Sequence, residues 1–193
     1  MEFSVTGDAS LAAQAEECSE HTFNLETAQC ACGTVAEARV KIGGTVACYL
    51  TMEEAFLAVE NCTAEDQAVI TMMQDRFVVA NANWEPLIIK SGVFTLDLNG
   101  HILSGDDLET NVLRIRGGDV TITSSVPGGE IKIDHNSGSL DGATCVLRAT
   151  GLSTKVTLRN IKITLTSEET KMTFAVVSDA ADMTLDGVTV DSE

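Results

Sequence analysis

The chain has 193 residues, of which 44% are hydrophobic and only 4% aromatic, so aliphatic and β-branched side chains must fill its core. A formal charge of −17 without any basic stripe argues against nucleic acid and anionic lipid as electrostatic partners. No apolar run reaches the roughly 18 residues that suggest a membrane-spanning helix, and the dense Asp/Gly loops of calcium-binding β-roll repeats are missing.

Residues 1–17 are polar and Ala-rich and read as a flexible N-terminal arm. Ala13-Gln14-Ala15 has the small-x-small form of a signal cleavage site, but no positive n-region or continuous apolar h-region precedes it. Residues 18–38 read as a small Cys/His knuckle. Cys18, His21, Cys30 and Cys32 offer three sulfurs and one nitrogen, a set that suits tetrahedral zinc. Cys18-x-x-His21 has the standard spacing; Cys30-x-Cys32 is tighter than the usual C-x-x-C. Four protein donors leave no open position, so a metal here would be structural rather than catalytic. In an oxidising location the same thiols can pair instead, Cys18 with Cys30 or Cys32, and free thiols are the third alternative.

Residues 39–67 read as an N-terminal cap, a hairpin followed by a helix. Arg39 to Tyr49 forms two short strands around Gly43-Gly44, a hairpin turn signal. Thr51 to Glu60 reads as one helix: Thr51 with Glu54 is a capping box, and Met52, Phe56 and Val59 share a face. Cys48 and Cys62 flank this helix and either bridge it or are simply buried.

Residues 68–193 are strand after strand, beginning with Ala68–Met73, Phe77–Val79 and Leu87–Ile89. A degenerate repeat follows. Val93-Phe94-Thr95-Leu96, Val120-Thr121-Ile122-Thr123, Val156-Thr157-Leu158-Arg159 and Met183-Thr184-Leu185-Asp186 restate one strand, and its Thr recurs at 95, 121, 157 and 184. A second strand recurs before it as Val112–Ile115, Val146–Ala149 and Ala175–Ser178. Repeats of this length built of short β pieces mean a solenoid. A lone helix ahead of the first turn suits a cap, because an uncovered solenoid end exposes core and strand edge. The sequence reaches Asp191-Ser192-Glu193 immediately after a repeat strand and shows nothing like a second cap, so the rungs are expected to continue in a longer protein.

With these elements in place, the run Ser91-Gly92-Val93-Phe94-Thr95-Leu96-Asp97-Leu98-Asn99-Gly100-His101-Ile102-Leu103-Ser104-Gly105 resembles a known family. It is similar to the right-handed parallel β-helix proteins of pectin-lyase-like fold, in the version found on surface and secreted proteins of gut bacteria. The resemblance covers Val46 to Glu193 and implies an all-β right-handed solenoid with an N-terminal capping helix. It also implies that Asn99 sits at a turn between sheets, where stacked Asn side chains can bond along the axis; Arg159-Asn160 and Asp186-Gly187 leave that ladder incomplete. The Cys18–Gly33 segment is similar to short "H…C-x-C-G" knuckles of bacterial surface proteins.

Enzymes of that fold need a catalytic constellation on one sheet face. Its lyases cluster Asp residues around calcium with an Arg base, and its galacturonan hydrolases use grouped Asp residues with Gly-His-Gly. Here Asp106-Asp107 follows Gly105 in a polar turn, Asp134-His135 is the other acidic candidate, and His101 lies in Gly100-His101-Ile102 rather than in Gly-His-Gly, so no catalytic set is found. Arg114, Arg116, Arg148 and Arg159 recur with the repeats, as an outward polar row would. Aromatic platforms for glycan are also scarce: Phe94 and Phe174 occupy apolar strand positions and Trp84 a turn. Cys145 reads as a core residue. The expectation is a non-catalytic, adhesin-like scaffold, bacterial and extracellular or cell-surface, presenting loops to a host or microbial partner, possible glycan included, with no cofactor beyond structural zinc. The alternative is the N-terminal part of a carbohydrate-active β-helix enzyme, a polysaccharide lyase or glycoside hydrolase, whose site lies outside this chain.

Overall fold

The computed structural model describes residues 18, 20–78, 86–105, 111–133, 144–166 and 173–192. The sequence readings made on the N-terminal arm, Trp84, Asp106-Asp107 and Asp134-His135 lie outside them.

Two antiparallel strands, β1 (Ala38–Ile42) and β2 (Thr45–Tyr49), open the chain after the knuckle. Ile42 pairs with Thr45 across Gly43-Gly44, the two-residue turn that the glycines announce. Helix α1 (Met52–Val59) follows. Thr51 Oγ1 accepts from the Glu54 amide at 3.2 Å and the Thr51 amide donates to Glu54 Oε2 at 3.3 Å, so the capping box forms as its residues predict. Its buried face, Met52, Ala55, Phe56 and Val59, packs on the start of the solenoid, with the Phe56 ring 6.3 Å from that of Phe94.

The rest is a parallel β-solenoid of about four turns. The first turn holds β3 (Ala68–Met72), β4 (Arg76–Val78) and β5 (Leu87–Ile89); the second β6 (Val93–Asp97), β7 (Ile102–Gly105) and β8 (Asn111–Ile115). The third holds β9 (Asp119–Thr123), β10 (Glu130–Ile133) and β11 (Thr144–Thr150); the fourth β12 (Lys155–Arg159), β13 (Lys162–Leu165) and β14 (Thr173–Asp179). Strands β15 (Asp182–Asp186) and β16 (Thr189–Ser192) begin another turn. Equivalent strands stack into three sheets, β15-β12-β9-β6-β3-β1-β2, β16-β13-β10-β7-β4 and β14-β11-β8-β5. The sequence repeat had supplied two strands per turn; the third sheet member, β7, β10, β13 and β16, is the one it did not single out.

Register follows side-chain alternation. Ile70, Leu96, Ile122 and Leu158 pair in succession and are fully buried, as are Leu103, Ile131 and Ile163 in the second sheet and Leu113 and Leu147 in the third. Each such side chain stabilises by about 1.5–3 kcal/mol relative to exposure. The repeated Thr95, Thr121, Thr157 and Thr184 stand in register on the opposite, outer face. A one-residue slip would exchange the two rows, which is why the pattern fixes the pairing. In the last turn the same inward columns are covered from one side only: Leu185 beside Leu158 is 54% exposed and Val190 beside Ile163 is 52% exposed.

Asn99 lies at the corner between the first and second sheets. Asn99 and Asn160 both adopt left-handed backbone, φ 52° and 51°, and Asn99 Nδ2 donates to Met72 O at 3.1 Å, one turn back. Gly187 lies one turn beyond Asn160, and a Cβ there would lie 2.5 Å from Asn160 Oδ1. The Asn160 side chain takes that space, and Ser124-Ser125 at the corner between Asn99 and Asn160 leaves the two asparagines without a shared ladder.

Candidate metal centre

The knuckle is held by turns rather than by a sheet. Asn24 Oδ1 accepts from the amides of Glu26 and Thr27 at 2.8 and 3.0 Å, and the Ala28 amide returns to Asn24 O at 2.8 Å. Isolated bridges join Phe23 to Cys30 and Gln29 to Val35. Cys30-Ala31-Cys32-Gly33-Thr34 then closes on itself: the Gly33 amide donates to Cys30 O at 2.9 Å and the Cys30 amide to Thr34 O at 2.8 Å. Gly33, at φ 92°, supplies the backbone that lets both cysteines face one point. The Arg39 guanidinium donates to Glu26 O at 3.3 Å and ties the knuckle to β1.

All four predicted donors converge. One donor atom each from Cys18, His21, Cys30 and Cys32 lies within 4.8 Å of all the others. Cys18 Sγ and Cys30 Sγ are 4.0 Å apart, and Cys32 Sγ is 3.4 Å from His21 Nδ1. A tetrahedral zinc with ordinary bond lengths sets sulfurs about 3.8 Å apart and sulfur from nitrogen about 3.6 Å. The cluster therefore could hold a metal such as zinc. The His21 ring also stacks on Phe23, centroids 5.7 Å apart, which fixes its orientation.

Protons are unevenly shared across the cluster. Cys32 is pushed down to about 6, first by the Thr34 hydroxyl, 3.3 Å from its sulfur, and then by the Thr34 amide. Cys30 is lowered by the Cys32 amide and by His21. Cys18 is pushed up to about 11, chiefly because its thiol hydrogen-bonds to Cys32. His21 is raised by Cys30 and then Cys32, since the imidazolium donates to their sulfurs. Such a set gathers thiolate character on Cys30 and Cys32 and leaves Cys18 as the proton a metal must displace. Thr34 was not singled out from the sequence; a hydroxyl two residues after a candidate ligand was the available signal.

The remaining sequence candidates are placed apart from this cluster. All six cysteines are free thiols. Cys48 and Cys62 are half-buried at either side of α1, with thiols pushed up by burial. Cys145 is a core residue, 1% exposed, its thiol pushed up to about 11 by burial. Phe94 is buried under α1, while Phe174, in the inward column of the last complete turn, is 40% exposed. His101 Nδ1 lies 3.1 Å from Asp75 Oδ1, which also accepts from the Ile102 amide at 2.9 Å, so this pair fastens a corner to the turn below. Arg114 and Arg148 stand opposite each other across β8 and β11, whereas Arg159 belongs to another sheet, so the four arginines do not make one row.

Compared with protein-family models, with curated proteins and with solved structures, the chain matches none.

Proposed function

We propose that the Cys18, His21, Cys30 and Cys32 cluster is a structural zinc centre that fastens the N-terminal knuckle, and that the chain as a whole is a non-catalytic scaffold. The observation that carries the first part is the convergence of three sulfurs and one imidazole at tetrahedral spacing. With four protein donors the metal keeps no position for water or substrate, so it serves folding rather than chemistry. His21 also lines the cleft that Cys48, Tyr49, Leu50 and Leu57 form, so ordering the knuckle orders the surface of the cap. Metal and disulfide compete for the same thiols, and bound zinc keeps them from pairing.

The scaffold reading rests on how the outer charges are used. Arg159 pairs with Asp186 at 3.0 Å, Lys162 with Glu130 at 3.4 Å and Asp191 at 3.2 Å, each from one turn to the next. These rows brace a rod along its axis. We assign the chain to the right-handed, pectin-lyase-like class it resembles, acting extracellularly or on a bacterial surface as an adhesin-like protein that presents its loops to a host or microbial partner. The test is incubation of the protein with plant and host polysaccharides, with and without calcium, following reducing ends and unsaturated products. The scaffold reading expects no turnover; turnover of any polymer overturns it in favour of the enzyme reading.

A further inference from the structure

The outer face of the β14-β11-β8-β5 sheet concentrates positive charge on an otherwise acidic chain. Arg114 and Arg148 are directly paired in the parallel register, each between inward neighbours that are fully buried, Leu113 and Ile115 on one strand, Leu147 and Ala149 on the next. Arg116 follows on the same face by the two-residue alternation of a strand. Lys90 comes one residue after the Ile89–Ile115 pairing and so lies alongside Arg116. The face thus holds 4 of the chain's 12 Lys and Arg residues. Among the described residues the carboxylate paired with this group is Asp179, at the sheet edge, 3.4 Å from Arg148 Nη2.

Neighbouring strands are about 4.8 Å apart, so the register sets Arg114 and Arg148 side by side on the same face. Arg114 is lowered from the ordinary guanidinium range, first by burial and then by the charges of Arg116 and Arg148. The Nε atoms of both Arg114 and Arg148 are buried with no hydrogen-bond partner. A buried N–H donor without an acceptor is unfavourable, and here two of them sit on adjacent rungs with like charge around them.

We propose that Arg114 and Arg148, flanked by Arg116 and Lys90, form a binding site for an oxyanion, the carboxylate or sulfate group of an acidic ligand. A guanidinium presents parallel N–H donors that match two oxygens of such a group, and an anion held between two rungs accepts from both. It also relieves their repulsion. The site requires neither the scaffold nor the enzyme reading, and its test does not depend on which is right.

The test is isothermal titration of the full chain with sodium sulfate and with sodium acetate, in sodium chloride at constant ionic strength. Saturable binding of at least one anion is expected, weakened about tenfold or more by Arg114→Gln and by Arg148→Gln. Arg159→Gln, on a different sheet, is expected to leave it unchanged. Sulfate alone binding assigns a sulfate-bearing ligand, acetate alone a carboxylate-bearing one, and both the shared chemistry. No saturable binding above chloride, or affinity unmoved by both substitutions, overturns the proposal. If Arg114→Gln lowers the unfolding midpoint, Arg148→Lys decides, since it keeps stem and charge but loses the fork: weakened binding supports the site, unchanged binding overturns it.

Discussion

Gly118 stacks on Gly92 across one solenoid turn so closely that a Cβ added to Gly118 would lie 2.3 Å from the Gly92 carbonyl oxygen. Gly92 is in turn pressed against Val59 at the end of α1, where the same construction gives 2.3 Å to the Val59 carbonyl oxygen. Both glycines have left-handed backbone, φ 91° and 102°. The Val93 amide donates to Cys62 O just after α1, the Asp119 amide to Gly92 O and the Lys155 amide to Gly118 O, each at 2.9 Å, so this column carries the ladder from the cap into the rungs.

Gly118→Ala is therefore expected to destabilise the protein by more than about 2 kcal/mol, through backbone strain and a contact with backbone that cannot swing away. Gly44→Ala, where nothing lies within 4 Å, is expected to change stability by under about 0.5 kcal/mol. Urea unfolding of both variants checks the pair. Equal stability of the two would contradict the stacked-corner account.

The capping helix offers a second comparison. Phe56 is 5% exposed and packs on Phe94, while its neighbour Leu57 is 67% exposed. Phe56→Ala is expected to cost about 3–5 kcal/mol and Leu57→Ala under about 0.5 kcal/mol. Thermal unfolding distinguishes them, and a large loss at Leu57 would mean that the helix docks by another face.

Much of this architecture could be read before the structure. The strand carrying Thr95, Thr121, Thr157 and Thr184 is five residues long with three outward and two inward positions, enough alternation to be recognised four times. The strands β7, β10, β13 and β16 have four residues each and vary from Ile-Leu-Ser-Gly to Thr-Val-Asp-Ser, too short and too dissimilar to declare a repeat. The cysteine cluster was legible because Cys18, His21, Cys30 and Cys32 are close in sequence, so local turns suffice to bring them together. The Arg114–Arg148 pairing also follows from aligning Val112–Ile115 with Val146–Ala149; what the alignment could not show is that Arg159 stands on a different sheet, because the repeat does not say which strands share one.

Within the metal cluster, Thr34 sets the acidity of Cys32. In protein freed of metal, Thr34→Val removes the hydroxyl that is the leading cause of the lowered value and is expected to raise Cys32 from about 6 toward its ordinary 9.0. The thiolate present at neutral pH then falls, and alkylation of Cys32 at pH 7 slows several-fold. Alkylation rate against pH, followed by mass spectrometry, shows whether the inflection moves. An unmoved inflection would remove Thr34 from the cluster.

Metal retention should depend on pH in one direction. Protons and zinc compete for the same sulfurs, so acid weakens binding and alkali strengthens it. Cys32 is pushed down to about 6, whereas Cys18 must surrender a proton held up to about 11. Zinc uptake near neutral pH is expected to release protons, and metal is expected to be lost progressively as the pH falls. A colorimetric chelator at a series of pH values measures the release. Metal retained equally at pH 4 and pH 7 would contradict thiolate ligation.

The measurement that tests the account most directly is the metal content of the purified protein, expressed without added zinc, together with X-ray absorption at the zinc edge. The account predicts one zinc per chain in a shell of three sulfurs and one nitrogen, and loss of that zinc in Cys30→Ser and Cys32→Ser. Protein without zinc that also fails to take it up under reducing conditions, or a zinc shell made mainly of oxygen, would contradict it.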